Sequence, residues 1–118
     1  MIVAQTDGIV FCMNSDVVKR LCRANLQRNI YGWGIDQMAV AFAYANGMIA
    51  VVDESFFVRH PKSRGYPSDV AGVQWREFLD QLTMHEQIQH RLLFSYFREK
   101  NNSVKHITSK SNQSDATK

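Results

Sequence analysis

The chain has few of the residues that announce a class. Two cysteines in 118 residues, Cys12 and Cys22, are too few for a disulfide framework and read as reduced, buried small residues of a cytoplasmic protein. No apolar run is long and uninterrupted enough to span a bilayer. The N-terminal MIVAQTDGIVF has no basic residue ahead of its apolar stretch, so it does not read as a signal peptide. There is no GxxxxGK[ST], GxGxxG, CxxC or GxSxG, which removes the sequence case for a P-loop, a dinucleotide fold, a thiol redox centre and a nucleophile elbow. No Asp-x-Asp and no internal repeat occur either.

What remains is an ordinary composition. Apolar residues make up 45% and charged residues 21%, the balance of a globular domain. The length suits one domain with a real core. The net charge is +3 and the pI about 9.0, but Lys105, Lys110 and Lys118 stand against Asp115 alone in residues 101–118. Two of the three net charges therefore lie in a polar stretch with few apolar residues, which reads as a disordered tail. The nearly neutral remainder offers no basic stripe, so no nucleic-acid partner is expected.

Residues 2–13 hold Ile9-Val10-Phe11-Cys12-Met13, a candidate buried strand. Asn14 or Ser15 can cap a helix from about Asp16 to Ala24, with Val17, Val18, Leu21 and Cys22 on one face. Gln27 to Tyr31 reads as a loop. After Gly32-Trp33-Gly34, a helix runs from Asp36 to Asn46 and stops at Gly47. Met48 to Val52 and Phe56 to Arg59 read as strands, so the helix between apolar strands suggests a β-α-β element. Residues 60–67 form a loop, and Ser68 caps a long helical pattern over 69–98. Thr83-Met84-His85-Glu86 has the form of a capping box, which places a break near Thr83.

Several groups could carry chemistry. Trp33, framed by glycines, can stack on a sugar ring, and Asp36 at a helix start can act as a general base. The plainer reading, which the pattern alone favours, is that Asp36 merely caps its helix and Trp33 is core. Asp7 can line the same cleft or close a turn. His60 beside Lys62, Arg64 and Tyr66 suits a metal-bridged diphosphate, or is a solvated basic turn. Asp53-Glu54 reads as a turn. His85 and His90 imitate a zinc helix with one residue too many. Five residues turn a helix by about 140° beyond a full turn, so the two rings cannot share a metal and read as surface residues.

The order TDGIVFCMNSDVVKRL, YGWGID, AYANG and IAVVDESFFVRHPKSRGY resembles the C-terminal half of nucleotide-sugar glycosyltransferases with the GT-A fold, closest to bacterial family-2-like members. The resemblance covers about residues 4–67. It implies α/β architecture: a partial GT-A-like sheet over residues 1–67, then a C-terminal helix or helix pair over 68–100. It gives Asp36, from the W-G-x-D segment, the role of base or acceptor ligand. His60 would complete a Mn²⁺ or Mg²⁺ site, and Lys62 and Arg64 would cover the donor diphosphate. Asp7 and Trp33 would then face the acceptor. The nucleotide-binding half of that fold, with its Asp-x-Asp, has no counterpart in this sequence. The implied partners are a nucleotide-sugar donor, a sugar or glycan acceptor, and either the missing half or a second copy. The competing expectation is a non-catalytic remnant, or a small α/β interaction module that self-associates through the helices of residues 69–98.

Overall fold

The computed structural model describes residues 11–53, 55, 65–96 and 98–99. Four helices account for most of them: α1 (Ser15–Cys22), α2 (Ile35–Ala45), α3 (Ser68–Leu79) and α4 (84–96). Among the described residues there is no strand, only an isolated bridge at Val51. The expected α/β class and its β-α-β element are therefore corrected to a helical architecture. The segment 48–52 is irregular apart from that bridge, and residues 11–13 are irregular too. The physical reason lies in exposure. Ile49 and Val51 are 61% and 56% exposed, and an apolar run becomes a strand only when a neighbouring ladder and a covered face hold it. The expected strand over 56–59, the beginning of that over 2–13, and the polar tail lie outside the described residues.

Helix α2 is the hub because its sequence is apolar on nearly every side. Gln37, Met38, Ala39, Val40, Ala41 and Ala43 are all buried, the pattern of a helix surrounded by others. One side, Met38 and Ala41, packs on Phe78 of α3 and on Leu82, with Leu21, Ala24, Ile35 and Leu79 around them. Ala39 and Ala43 pack on Val17 of α1, with Met13, Leu21, Phe42 and Met48 alongside. The small alanines let the neighbouring helices come close.

The helix ends are chemically specified. Asn14 caps α1, its Oδ1 accepting from Asp16 N at 2.8 Å. At the end of α2, Met48 N donates to Ala43 O at 2.8 Å and Gly47 N to Tyr44 O at 3.3 Å. With Gly47 at φ +74° this is a Schellman motif, and Met48 returns to pack beside Ala43. Pro67, not Ser68, occupies the cap position of α3. Thr83 and Glu86 form a reciprocal capping box at the start of α4. Thr83 N donates to Glu86 Oε1 at 2.8 Å, and Glu86 N to Thr83 Oγ1 at 3.3 Å.

Glu86 has a second partner that ties α4 to α1. Arg20 Nη2 and Nε donate to its carboxylate at 2.8 and 2.9 Å, and Nη2 also reaches Gln81 O at 3.2 Å. Both residues are buried, at 7% and 2% exposure. The expected α1 face is corrected accordingly: Val18 and Cys22 are exposed, and Val17, Arg20 and Leu21 point inward; both cysteines, expected to be buried, are exposed. On α4, the side opposite Glu86 and His90 carries Met84, Ile88, Leu92 and Tyr96, 47–74% exposed. The helix thus turns Glu86 and His90 inward and an apolar stripe outward. No helix among the described residues is long and apolar enough to cross a membrane.

Burial pushes the Glu86 carboxyl up, but hydrogen bonds from Arg20 and Thr83 outweigh it and hold it below the ordinary range. A depressed carboxyl contributes stability above its unfolded value of about 4.3, and the contribution is lost as pH falls through the lower folded value. The melting temperature is therefore expected to drop steeply below about pH 4. Glu86→Gln keeps the cap acceptor but orphans the Arg20 charge; it should cost about 3–5 kcal/mol at neutral pH and flatten the acid slope. Urea melts across pH check both, and an unchanged slope in the variant would show that another carboxylate governs acid unfolding.

Candidate functional site

Gly32-Trp33-Gly34 turns the chain into α2 using two left-handed backbones, φ +74° at Gly32 and +89° at Gly34. Only glycine adopts these at little cost. Gly34 also serves as the cap residue of α2 and lets α3 approach closely. A Cβ built there would stand 2.7 Å from Trp75 Cδ1 and 3.3 Å from Phe78 Cδ1.

This turn holds Trp33 at both ends. Its carbonyl accepts from Asn29 Nδ2 at 2.9 Å. Its indole Nε1 donates to the Tyr66 hydroxyl, also at 2.9 Å, and the two rings meet edge to face at 6.1 Å. Tyr31 stacks on Tyr66 with centroids 4.8 Å apart and planes 23° from parallel. Three half-buried aromatic rings from two distant segments therefore form one cluster beside the first turn of α2. Asp36 stands in that turn, where the positive end of the helix suits a carboxylate. Its side chain is half-buried, with Oδ2 enclosed. Flat rings next to a carboxylate can hold an apolar ring face and receive a proton from a hydroxyl beside it.

Of the residues expected to form the site, Trp33 and Asp36 lie here, together with Tyr66 from the end of the basic loop. Asp7, His60, Lys62 and Arg64 lie outside the described residues. Asp53 Oδ1 accepts from Ser55 N at 2.9 Å, an Asx turn. Hydrogen bonds from the Ser55 side chain and backbone hold its carboxyl below the ordinary range.

The two histidines of α4 separate. His85 is exposed. His90, expected on the surface, is half-buried; its Nε2 meets Gln37 Oε1 at 3.2 Å and its ring lies 4.6 Å from Phe94. Burial, with help from Arg91, pushes its pKa down. The same Gln37 oxygen accepts from Trp75 Nε1 at 3.1 Å, so one amide joins α2, α3 and α4. Among the described residues no three His, Cys, Asp or Glu side chains come together as a metal site.

Sequence reasoning passed over Asn29, Gln37 and Arg20. Arg20 carried a signal: it lies between Val17, Leu21 and Ala24 on the apolar stripe of α1, where a charge needs a partner. Gln37 carried a similar one, as the polar residue of a buried helix. Asn29 carried none, because nothing in a polar loop distinguishes the one amide that turns inward.

Gly34→Ala is expected to cost more than Gly47→Ala. Both require a left-handed alanine, about 1–2 kcal/mol, but nothing lies within 4 Å of a Cβ at Gly47, whereas Trp75 must move at Gly34. Paired thermal melts measure the difference, and equal costs would show that Trp75 yields freely. No protein-family model matches the chain, and neither a curated protein nor a solved structure matches it.

Proposed function

We propose that the chain carries the acceptor-side part of a nucleotide-sugar glycosyltransferase, with Asp36 as its base. What supports this reading is the hydrogen bond between Trp33 and Tyr66. The resemblance in the sequence requires the GWGID segment and the HPKSRGY loop to face one cleft, and this bond joins the end of one to the heart of the other.

On this reading an acceptor hydroxyl attacks the anomeric carbon of the donor. The bond from that carbon to the diphosphate breaks, and the diphosphate leaves with the electron pair. The hydroxyl proton passes to the Asp36 carboxylate. Lys62 and Arg64 stabilise the departing charge. His60 is the residue this reading gives to a divalent metal, which when bound would help neutralise the diphosphate. Trp33, fixed by Asn29 and Tyr66, supplies a rigid wall for the acceptor.

The test is sugar transfer from UDP- and GDP-sugars with Mn²⁺ by the protein expressed from its full reading frame. Asp36→Asn should lower transfer about 10²–10⁴-fold without lowering the melting temperature. Full activity in that variant, or none in the parent with any donor, sinks the reading.

A second reading has its own observation. The outer side of α4 exposes Met84, Leu92 and Tyr96 at 60% or more, an apolar surface that favours association with a second copy over catalysis. Sedimentation would then show an oligomer that Leu92→Glu converts to monomer. A monomeric parent at high concentration removes this reading.

A further inference from the structure

On the far side of the Trp33 turn, the loop over residues 25–29 faces α3 across a cleft of about 610 Å³. Asn29 and Phe78, both buried, form its floor. Its walls are made rigid by amides. Gln81 accepts from Asn25 N at 2.6 Å and donates to Asn25 O at 2.9 Å. Gln74 Oε1 accepts from Ile30 N at 3.1 Å. Gln74 of α3 and Gln81 just beyond its end thus each grip the opposing backbone and fix the width of the cleft.

The groups left for a ligand have a definite character. Arg28 and Glu77 both line the cleft and are exposed. The one ion pair among the described residues is Arg20–Glu86, so Arg28 and Glu77 do not neutralise each other directly. On the floor, Asn29 is 7% exposed, and its Oδ1 accepts no hydrogen bond among the described residues. Its Nδ2 already donates to Trp33 O, which fixes the amide with Oδ1 as the idle atom. A buried amide oxygen without a donor is costly, on the order of 1–3 kcal/mol, and is retained where something else supplies the donor.

We infer that this cleft binds a neutral sugar through its hydroxyl groups. Arg28 only donates hydrogen bonds, Glu77 and Asn29 Oδ1 only accept, and Gln74 Nε2 offers a further donor. One positive and one negative wall favour neither a simple anion nor a simple cation, and a polyol can both donate and accept at several points between them. The cleft shares Asn29 with the Trp33 turn, so the sugar lies against the same segment that carries Asp36. Its role as the acceptor subsite rests on the glycosyltransferase reading; sugar binding as such does not.

The test is a titration of the full chain with methyl glycosides of glucose, galactose and mannose, followed by amide NMR. Glucuronate and glucosamine serve as charged controls. The Asn29 and Gln74 side-chain amides should shift with at least one neutral glycoside. Arg28→Ala and Glu77→Ala, both exposed and away from the core, should each weaken binding about tenfold with unchanged melting. No shift with any neutral glycoside, tighter binding of a charged control, or shifts that survive both substitutions would overturn the proposal. Asp36→Asn separates the two readings. Sugar binding retained in that variant without transfer in any parent preparation leaves the cleft standing and removes the transferase. Transfer whose acceptor KM ignores both cleft substitutions does the reverse.

Discussion

A guanidinium and a carboxylate removed from water together organise the four helices. Neither Arg20 nor Glu86 would be tolerated alone in that position, since the desolvation of one charge exceeds what packing returns. Together they satisfy each other through three contacts between 2.8 and 3.2 Å. Because Glu86 also holds the N3 position of the α4 capping box, the same carboxylate starts one helix and anchors another. The Gln81 carbonyl, accepting from Arg20, draws the α3–α4 connection into the arrangement. The link between α1 and α4 is therefore polar and directional, and it fixes register in a way that alanine and leucine contacts do not.

Around that clamp, α2 supplies the volume and the turns supply the shape. An alanine-rich helix cannot fill space by itself, so Met38, Phe78 and Leu82 fill it from three places. The turn ahead of α2 then settles what the surface looks like. Two left-handed glycines hold Trp33 between Asn29 and Tyr66, and Asn29 also lines the cleft beside α3. Aromatic cluster and cleft are two sides of one short loop, which is why a single peptide carbonyl, that of Trp33, belongs to both.

The local chemistry of this chain was legible in its sequence; the tertiary chemistry was not. Thr83-x-x-Glu86 specifies two hydrogen bonds within four residues, and Gly47 specifies a left-handed stop, so neither needs a distant partner. Met48 to Val52 is the opposite case. An apolar β-branched run has no periodicity to separate strand from buried coil, and its state depends on neighbours that the run does not encode. Arg20 shows the middle ground: its place on an apolar stripe called for a partner, but Glu86 lies 66 residues away and was already accounted for by its cap. For the site, Trp33 and Asp36 were visible as a motif. Asn29 and Gln37 were not, because their importance comes from which way one side chain turns.

The close approach at Gly34 also orders the history open to this sequence. Trp75 can shrink without regard to Gly34, since a smaller ring leaves room behind it. Gly34 cannot grow while Trp75 remains, because the new carbon would arrive at 2.7 Å. Of the two mutational routes between a Gly–Trp pair and a larger–smaller pair, one is closed at its first step. The contact acts as a ratchet on sequence drift, and position 75 must move first.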